Sequence, residues 1–573
     1  MRLLATLLLG LMLTITACGK HPQDVQPEKV ESAIKQQRNM ADMQPQFLYL
    51  AAQAAIKDGE LGMAIELLSA LLKKDPEALK PRFQLLDLLL DSSQFDQATK
   101  HISALLQRDD LPAEKHAGLK LAMIRIQAAQ GQIDEALIGI NNFLNTHPSH
   151  LHAYDILSKL LASQNRYDEA LAALDKAIKI KELPKFRLLQ AQLFIKKNHL
   201  QAAKTSLKQM QKLAPHHDTP ILLLSSIALK EGRKEQAESL LRSFLGNNPA
   251  ALRITQALGQ LLLQDKRPVE AILLYRDAAK NSPNQPEILH ALSMLYFHHR
   301  DYAEAEKTFL QLIKIKPDDR SRFYLAASLE AQDRMSEARI IYQKLDPSSS
   351  LAAEAQLRLA AMDVMNNDIP MAVKRLKGIL NNDPKHLDAL LMLSTIRLNQ
   401  AKHQLLVDET EAIIATAKLP PQLLFNRAVA FEQLKQYEQV EKMLMRVMKA
   451  KPNHAEAMNF LAYTYAIQGI KLGKAEALLH RALILKPDNG YYLDSLAWVY
   501  YKNGQFAKAI NTQAKALKHI DDDAVMHEHY GDMLWRHGDS AAARQAWQLA
   551  ITLKSERTIL IKEKIAKGLT SSQ

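Results

Sequence analysis

Residues 488–520 read DNGYYLDSLAWVYYKNGQFAKAINTQAKALKHI, two amphipathic patterns separated by Gly504. Apolar side chains three and four positions apart form one face of a helix, and the first pattern supplies them at Leu493, Leu496, Ala497 and Tyr500. Glycine readily adopts the left-handed backbone that ends a helix, so a turn is expected at Gly504. Pro487 precedes the first pattern and blocks continuation of an earlier helix. The stretch predicts a helix, a turn and a second helix.

This unit recurs along the chain, because prolines repeat with a mean spacing of about 34 residues. They are Pro76, Pro112, Pro148, Pro184, Pro215, Pro249, Pro283, Pro317, Pro347, Pro384, Pro420, Pro452 and Pro487. Independent domains have no reason to space prolines in this way. The chain is therefore predicted to be one array of helix pairs over residues 45–556, followed by a capping helix and tail at 557–573.

Small residues recur in step with the prolines. Alanine stands twelve positions before the proline at Ala64, Ala136, Ala203, Ala237, Ala271, Ala305, Ala372 and Ala475. Five positions before the alanine position stands a helix-ending residue, at Gly59, Gly131, Asn198, Gly232, Asn367, Gly504 and Gly538. Another small residue stands twelve positions before the alanine position, at Ala52, Ala191, Ser225, Gly259, Ser293, Ala360, Ala497 and Gly531. Small residues in mid-helix allow two helices to approach closely.

The spacing and the residue types resemble the tetratricopeptide repeat, a helix–turn–helix unit. The resemblance implies an all-α fold, a right-handed superhelical solenoid of about fifteen such repeats. It is weakest at Ile340–Pro347, where the second helix is short, and at Ala401–Leu419, which lacks the alanine. Composition agrees with a helical fold, since only 6% of the 573 residues are aromatic and there are 18 glycines.

The N-terminus predicts export and anchoring. Arg2 precedes an apolar run from Leu3 to Ile15, too short for a comfortable membrane span but typical of a signal peptide. Residues 15–18, ITAC, resemble a bacterial lipobox and contain the only cysteine of the chain. The resemblance implies a signal peptide at 1–17 and a lipidated N-terminus at Cys18, with a flexible tether over 18–44. The alternative is an ordinary signal peptide with an incidental cysteine.

Gly19, rather than Asp, follows Cys18. Lipoprotein sorting in cells with two membranes then implies the outer membrane, facing the periplasm. A lipobox followed by these repeats is similar to a class of proteobacterial envelope lipoproteins that mostly scaffold protein assemblies. The formal net charge of +12 is diffuse, and an exported protein is not expected to bind nucleic acid.

The sequence lacks the common catalytic motifs. The sequence contains no GxG, no GxxxxGK[ST] and no GxSxG, so phosphate loops and a serine nucleophile elbow are excluded. Its 20 histidines form no HExxH motif, and no metal and no cofactor are expected. In the turn at residues 521–523, DDD, we expect helix capping before cation binding.

The resemblance places a binding groove on the first helices of the units. The predicted groove residues are Asn459, Tyr463, Tyr491, Asp494, Trp498, Tyr501, Glu528, Asp532 and Trp535, with Glu456 and Val525 on the same face. The aromatics would anchor a partner segment, and the carboxylates would receive its Lys or Arg. The alternative is that these aromatics only pack between repeats. Trp547, Tyr500 and Leu496 are assigned to the core.

The sequence therefore predicts a non-enzymatic, membrane-anchored scaffold that binds envelope proteins or peptide segments during assembly of an envelope complex. Two alternatives stay open. One is an accessory component of exopolysaccharide or protein export, and the other, more remote, is an enzyme with a cryptic metal site.

Overall fold

The computed structural model describes residues 43–415 and 419–570. These residues form 31 α-helices and contain no strand. The helices follow one another as fifteen pairs and a single final helix. The prediction of an all-α solenoid of tetratricopeptide-like repeats is confirmed, and so is the expected number of about fifteen.

The chain divides into two compact units, with the boundary between residues 267 and 268. The helices of the first unit are α1 (Pro45–Lys57), α2 (Leu61–Lys74), α3 (Leu79–Asp91), α4 (Phe95–Leu106), α5 (Ala113–Ala129), α6 (Ile133–Thr146), α7 (Leu151–Ser163), α8 (Tyr167–Ile180), α9 (Pro184–Lys196), α10 (Leu200–Leu213), α11 (Thr219–Lys230), α12 (Lys234–Asn247) and α13 (Leu252–Gln264).

The helices of the second unit are α14 (Pro268–Asn281), α15 (Pro286–His298), α16 (Tyr302–Ile315), α17 (Asp319–Glu330), α18 (Met335–Tyr342), α19 (Ala352–Met365), α20 (Ile369–Asn382), α21 (Leu387–Asn399), α22 (His403–Thr410), α23 (Pro421–Gln433), α24 (Tyr437–Ala450), α25 (Ala455–Gln468), α26 (Leu472–Leu485), α27 (Gly490–Lys502), α28 (Phe506–His519), α29 (Ala524–His537), α30 (Ser540–Thr552) and α31 (Thr558–Lys567). A short 3-10 helix, Glu411–Ile413, follows α22.

The recurrent prolines and the predicted helix-ending residues lie at the ends of the helices, as the sequence predicted. Twelve of the thirteen prolines stand between the second helix of one pair and the first helix of the next, and Pro184 begins α9. All seven predicted helix-ending residues have positive φ, from 58° at Asn198 to 102° at Gly538. The two helices of each pair are therefore joined by a left-handed turn, and a proline stands at every junction between pairs except the one between α28 and α29.

The small residues form the contact between paired helices. All eight alanines of the proline-linked series are fully buried, from Ala64 to Ala475. In the last pair, a Cβ added at Gly531 would lie 2.4 Å from the Trp547 ring, so α29 and α30 approach too closely for any larger residue. Trp547, Tyr500 and Leu496 are buried, as expected of core positions.

Two second helices are short, at the places where the repeat pattern weakens. α18 and α22 have eight residues each, whereas most second helices have fourteen. The buried side chain of Arg427 packs against the end of α22, next to the space that the missing turns of this helix would fill. Its guanidinium donates to the Val407 carbonyl at 2.8 Å and to Thr410 Oγ1 at 2.5 Å, and pairs with Glu411 at 2.6 Å. One arginine thus holds the carbonyl end of a truncated helix.

The predicted signal peptide, Cys18 and most of the tether lie outside the described residues. Among the helices that the structure describes, none combines the length and the apolar character required for a membrane span.

Candidate functional site

The first helices of four consecutive pairs enclose a cavity of about 460 Å³. These helices are α23, α25, α27 and α29, and the cavity is lined mainly by their second, fifth, sixth and ninth residues. Such positions share one face of a helix. The lining residues are Phe425, Glu456, Asn459, Phe460, Tyr463, Tyr491, Tyr492, Asp494, Ser495, Asp523, Val525, Met526 and His529. An aromatic cleft with polar groups at intervals is the usual chemistry of a protein-binding surface.

Four of the nine predicted groove residues line this cavity: Asn459, Tyr463, Tyr491 and Asp494. Tyr491 is 54% exposed, which makes its ring the most accessible of the lining tyrosines. Tyr463 is half-buried, and burial together with the nearby Asp494 carboxylate raises its pKa to about 12. Its hydroxyl therefore remains a proton donor at physiological pH.

Asp494 is buried, and groups of the protein itself bind its carboxylate. Gln513 Nε2 donates to Asp494 Oδ1 at 2.7 Å, and His529 Nδ1 lies 3.0 Å from the same oxygen. Burial alone would lower the pKa of His529, but Asp494, with help from Asp532 and Glu528, outweighs burial and raises it. His529 therefore carries positive charge more readily than an ordinary histidine, and it forms an ion pair with Asp494 at the cavity wall.

Two oxygen-bearing groups of the cavity have unused capacity. The Oδ1 atom of Asn459 is buried and has no hydrogen-bond partner. Asp523 caps α29, as expected of the acidic turn, by accepting from the backbone amides of Val525 and Met526 at 2.8 and 3.1 Å. Both bonds use its Oδ1 atom, and Asp523 has no cationic partner among the described residues.

Trp498 and Tyr501 are stacked inside the array instead of lining the cavity. The centroids of these two rings are 4.8 Å apart, and the His529 ring also stacks on Trp498, with centroids 4.2 Å apart. Tyr501 is buried. These two aromatics pack adjacent repeats together, which is the alternative that the sequence left open.

The last three predicted groove residues, Glu528, Asp532 and Trp535, are covered by the C-terminal segment of the same chain. Lys564 of α31 is only 4% exposed, and its Nζ lies 2.7 Å from a carboxylate oxygen of Glu528 and of Asp532. Against the Trp535 ring lies Gly568, where an added Cβ would come within 1.9 Å of the ring. The carboxylates expected to receive a basic side chain from a partner thus receive one from this protein.

The sequence missed two parts of this site. Phe425 and Phe460 line the cavity, although the groove assignment began one repeat later and omitted the sixth helix position. Extending the same face to α23 and to the residue beside each fifth position would have identified both. Lys564 had no such signal, because nothing in the sequence shows where the final helix docks.

Within residues 43–415 and 419–570, no three His, Cys, Asp or Glu side chains are grouped so that they could hold a metal ion.

Sequence models of the tetratricopeptide repeat match residues 121–185, 222–286, 262–332, 421–454 and 495–556. These segments are tetratricopeptide repeats. A TPR repeat-containing protein of Pseudomonas aeruginosa is 28% identical over 210 residues, which are 36% of this chain and 35% of the relative. This chain therefore spans about a third of the length of that curated relative.

Two solved structures match this chain at low similarity. The APC/C hetero-tetramer Cut9–Hcn1 is 13% identical with a TM-score of 0.33, and the match covers 87% of this chain and 98% of that chain. MamA from Desulfovibrio magneticus RS-1 is 19% identical with a TM-score of 0.27, covering 30% of this chain and 96% of that chain. The cavity described above lies on the first helices of tetratricopeptide repeats, two of which fall in the matched segments 421–454 and 495–556.

Proposed function

We propose that this protein is a non-enzymatic scaffold, anchored to the cell envelope through a lipid on Cys18, which binds a segment of another envelope protein. The observation that carries the proposal is the aromatic cavity on the first helices α23 to α29. Rigid aromatic rings give contact area at low cost in conformational entropy. The cavity has one exposed ring, Tyr491, and one unused buried acceptor, Asn459 Oδ1.

The rest of the array suits a scaffold. Repeats that contact only their neighbours keep the core fixed while surface residues vary. The four first helices that form the cavity are held by core alanines and leucines, including Ala457, Leu461 and Ala497, which are all buried. A partner segment would therefore meet a preformed surface, which lowers the entropic cost of binding.

Photocrosslinking in intact cells tests the proposal. A photoreactive phenylalanine analogue replaces Tyr491 in the cavity, and in a second strain it replaces Ile484, which lies on the second helix α26 and is 79% exposed. We expect irradiation to give a discrete protein adduct from position 491 and not from position 484. Identical adduct patterns from both positions, or no adduct from 491, would contradict a binding role for the cavity.

A further inference from the structure

We propose that the segment bound in this cavity is basic, and that a lysine or arginine side chain of the partner enters it. The inference rests on the proposed function, because it assigns the chemistry of a ligand to the same cavity. Tyr491, Tyr463, Phe425 and Phe460 offer aromatic rings, and a cation over such a ring is attracted by its negative face.

The charges of the cavity favour a cation. Three carboxylates line it, at Glu456, Asp494 and Asp523, against one imidazole at His529. The cations near these acids are already engaged: His529 pairs with Asp494, and Lys486 pairs with Glu456. Asp523 is the carboxylate left without a cation among the described residues, and Asn459 Oδ1, which lines the same cavity, is an acceptor without a donor. An acidic segment would instead meet like charge.

The next repeat shows the same recognition carried out within the chain. Asn459, Asp494 and Glu528 are each the fifth residue of a first helix, in three successive repeats. At Glu528, with Asp532 one turn further, the Lys564 ammonium is held at 2.7 Å by both carboxylates. A second cation, Arg557, lies 3.1 Å from Glu528 Oε1. This face therefore binds lysine and arginine at its final repeat. In the cavity, the fifth position Asp494 is taken by Gln513 and His529, whereas the fifth position Asn459 leaves its Oδ1 without a donor.

Direct binding of charged peptides tests the inference. Fluorescently labelled oligolysine, oligoglutamine and oligoglutamate of equal length are titrated with the full-length protein in detergent. We expect oligolysine to bind about tenfold more tightly than oligoglutamine, and oligoglutamate to bind no better than oligoglutamine. The formal net charge of the chain is +12, so nonspecific electrostatic attraction would favour oligoglutamate over oligolysine.

Two variants locate the binding. Asp523→Asn keeps the capping oxygen of α29 but removes its charge, and Tyr491→Ala removes an exposed ring. Both should weaken oligolysine binding several-fold. The matched control is Asp539→Asn, since Asp539 caps the second helix α30 through Ala542 N at 3.0 Å and does not line the cavity.

Tighter binding of oligoglutamate would overturn the inference, and so would oligolysine binding that neither Asp523→Asn nor Tyr491→Ala weakens. A specific crosslink from position 491 together with either result would leave the proposed binding function intact and reject only the basic ligand. A third outcome combines two results: no crosslink from position 491 in cells, but oligolysine binding that both variants weaken. This outcome would reject the envelope partner and support a basic ligand for the cavity.

Discussion

At the scale of single residues, the turn within each repeat is the feature that the sequence predicted best. The seven Gly and Asn positions chosen as helix ends all have positive φ. Other repeats use residues without that preference for the same turn, among them Ser93, Lys266, Arg300 and Ala401. The packing of the two helices imposes the left-handed conformation, so residue type reveals it only where Gly or Asn happens to stand there.

Exchanging residues at two of these turns should change stability in opposite directions. Ala401 has φ 54° and Gly504 has φ 74°, and a Cβ added at Gly504 meets no atom within 4 Å. Because only the backbone preference changes, Ala401→Gly should raise and Gly504→Ala should lower the free energy of unfolding by about 1 kcal/mol. Urea midpoints of the repeats concerned measure both.

Gly378→Ala is the control for that pair. Gly378 lies inside α20, where an added Cβ also meets nothing within 4 Å, but the backbone is helical. The same Gly to Ala exchange should therefore stabilise there by about 0.5–1 kcal/mol. An unchanged midpoint for Gly504→Ala would show that the left-handed turn is not strained.

His529 makes the stability of the last repeats depend on pH. Asp494, Asp532 and Glu528 raise its pKa in the folded protein above that of the unfolded chain, which is about 6.5. The stabilisation is therefore complete below about pH 6.5 and is lost as the pH rises through the folded-state pKa. Thermal midpoints of the wild type and of His529→Gln should differ most in mild acid and converge as the pH rises through the folded-state pKa. A difference that grows with pH would contradict this assignment.

At the scale of elements, the short second helix α18 was predicted from the sequence, whereas at α22 the sequence showed only that the recurrent alanine is missing. What fills the space could not be predicted. Arg427 lies on α23, and its contacts with Val407 and Thr410 depend on how far α22 extends before the 3-10 turn. Sequence spacing identifies a helix face, but it does not show which side chain of the next repeat reaches an exposed carbonyl.

Arg427→Met should be among the most destabilising changes in this region. The side chain is 2% exposed, and its removal leaves the Val407 carbonyl and Thr410 without their donor and Glu411 without its cation. We expect the free energy of unfolding of the repeats around α22 to fall by about 3 kcal/mol. Urea denaturation and hydrogen exchange measure this change. Arg166→Met removes an exposed pair with Glu169, which water and salt screen, and should cost far less than Arg427→Met. Equal costs for the two variants would reject the structural role of Arg427.

At the scale of the whole molecule, repeat spacing predicts the fold almost entirely, because each pair contacts mainly its neighbours. The candidate site follows only in part. Tyr491 and Asn459, two of the predicted groove residues, line the cavity, since position within a first helix determines the face. Glu528, Asp532 and Trp535 have equivalent positions, yet the C-terminal segment covers them. That outcome depends on docking between distant parts of the sequence, for which local patterns carry no information.

Removing the charge of Lys564 should release this segment. Lys564→Met leaves Glu528 and Asp532 as buried carboxylates with their main cation gone, at a cost of about 3–5 kcal/mol. Hydrogen exchange should become faster in α31 and α29 while α23 stays protected. Lys562→Met, at an exposed position of the same helix, should leave exchange unchanged. Faster exchange in Lys562→Met as well would indicate that α31 is weakly docked irrespective of Lys564.

The anchor predicted at Cys18 decides where this surface can act. Two or three acyl chains hold a protein stably at a membrane, whereas a protein without them has no such attachment, so Cys18→Ser should move the protein from the membrane fraction to the soluble fraction. The same strain, with the photoreactive residue at position 491, should lose its crosslink if the partner is membrane-bound, because anchoring raises the effective concentration of one toward the other. Ala17→Ser keeps a small residue before the cysteine and should leave both fractionation and crosslinking unchanged. A Cys18→Ser protein that stays in the membrane fraction would reject the lipid anchor.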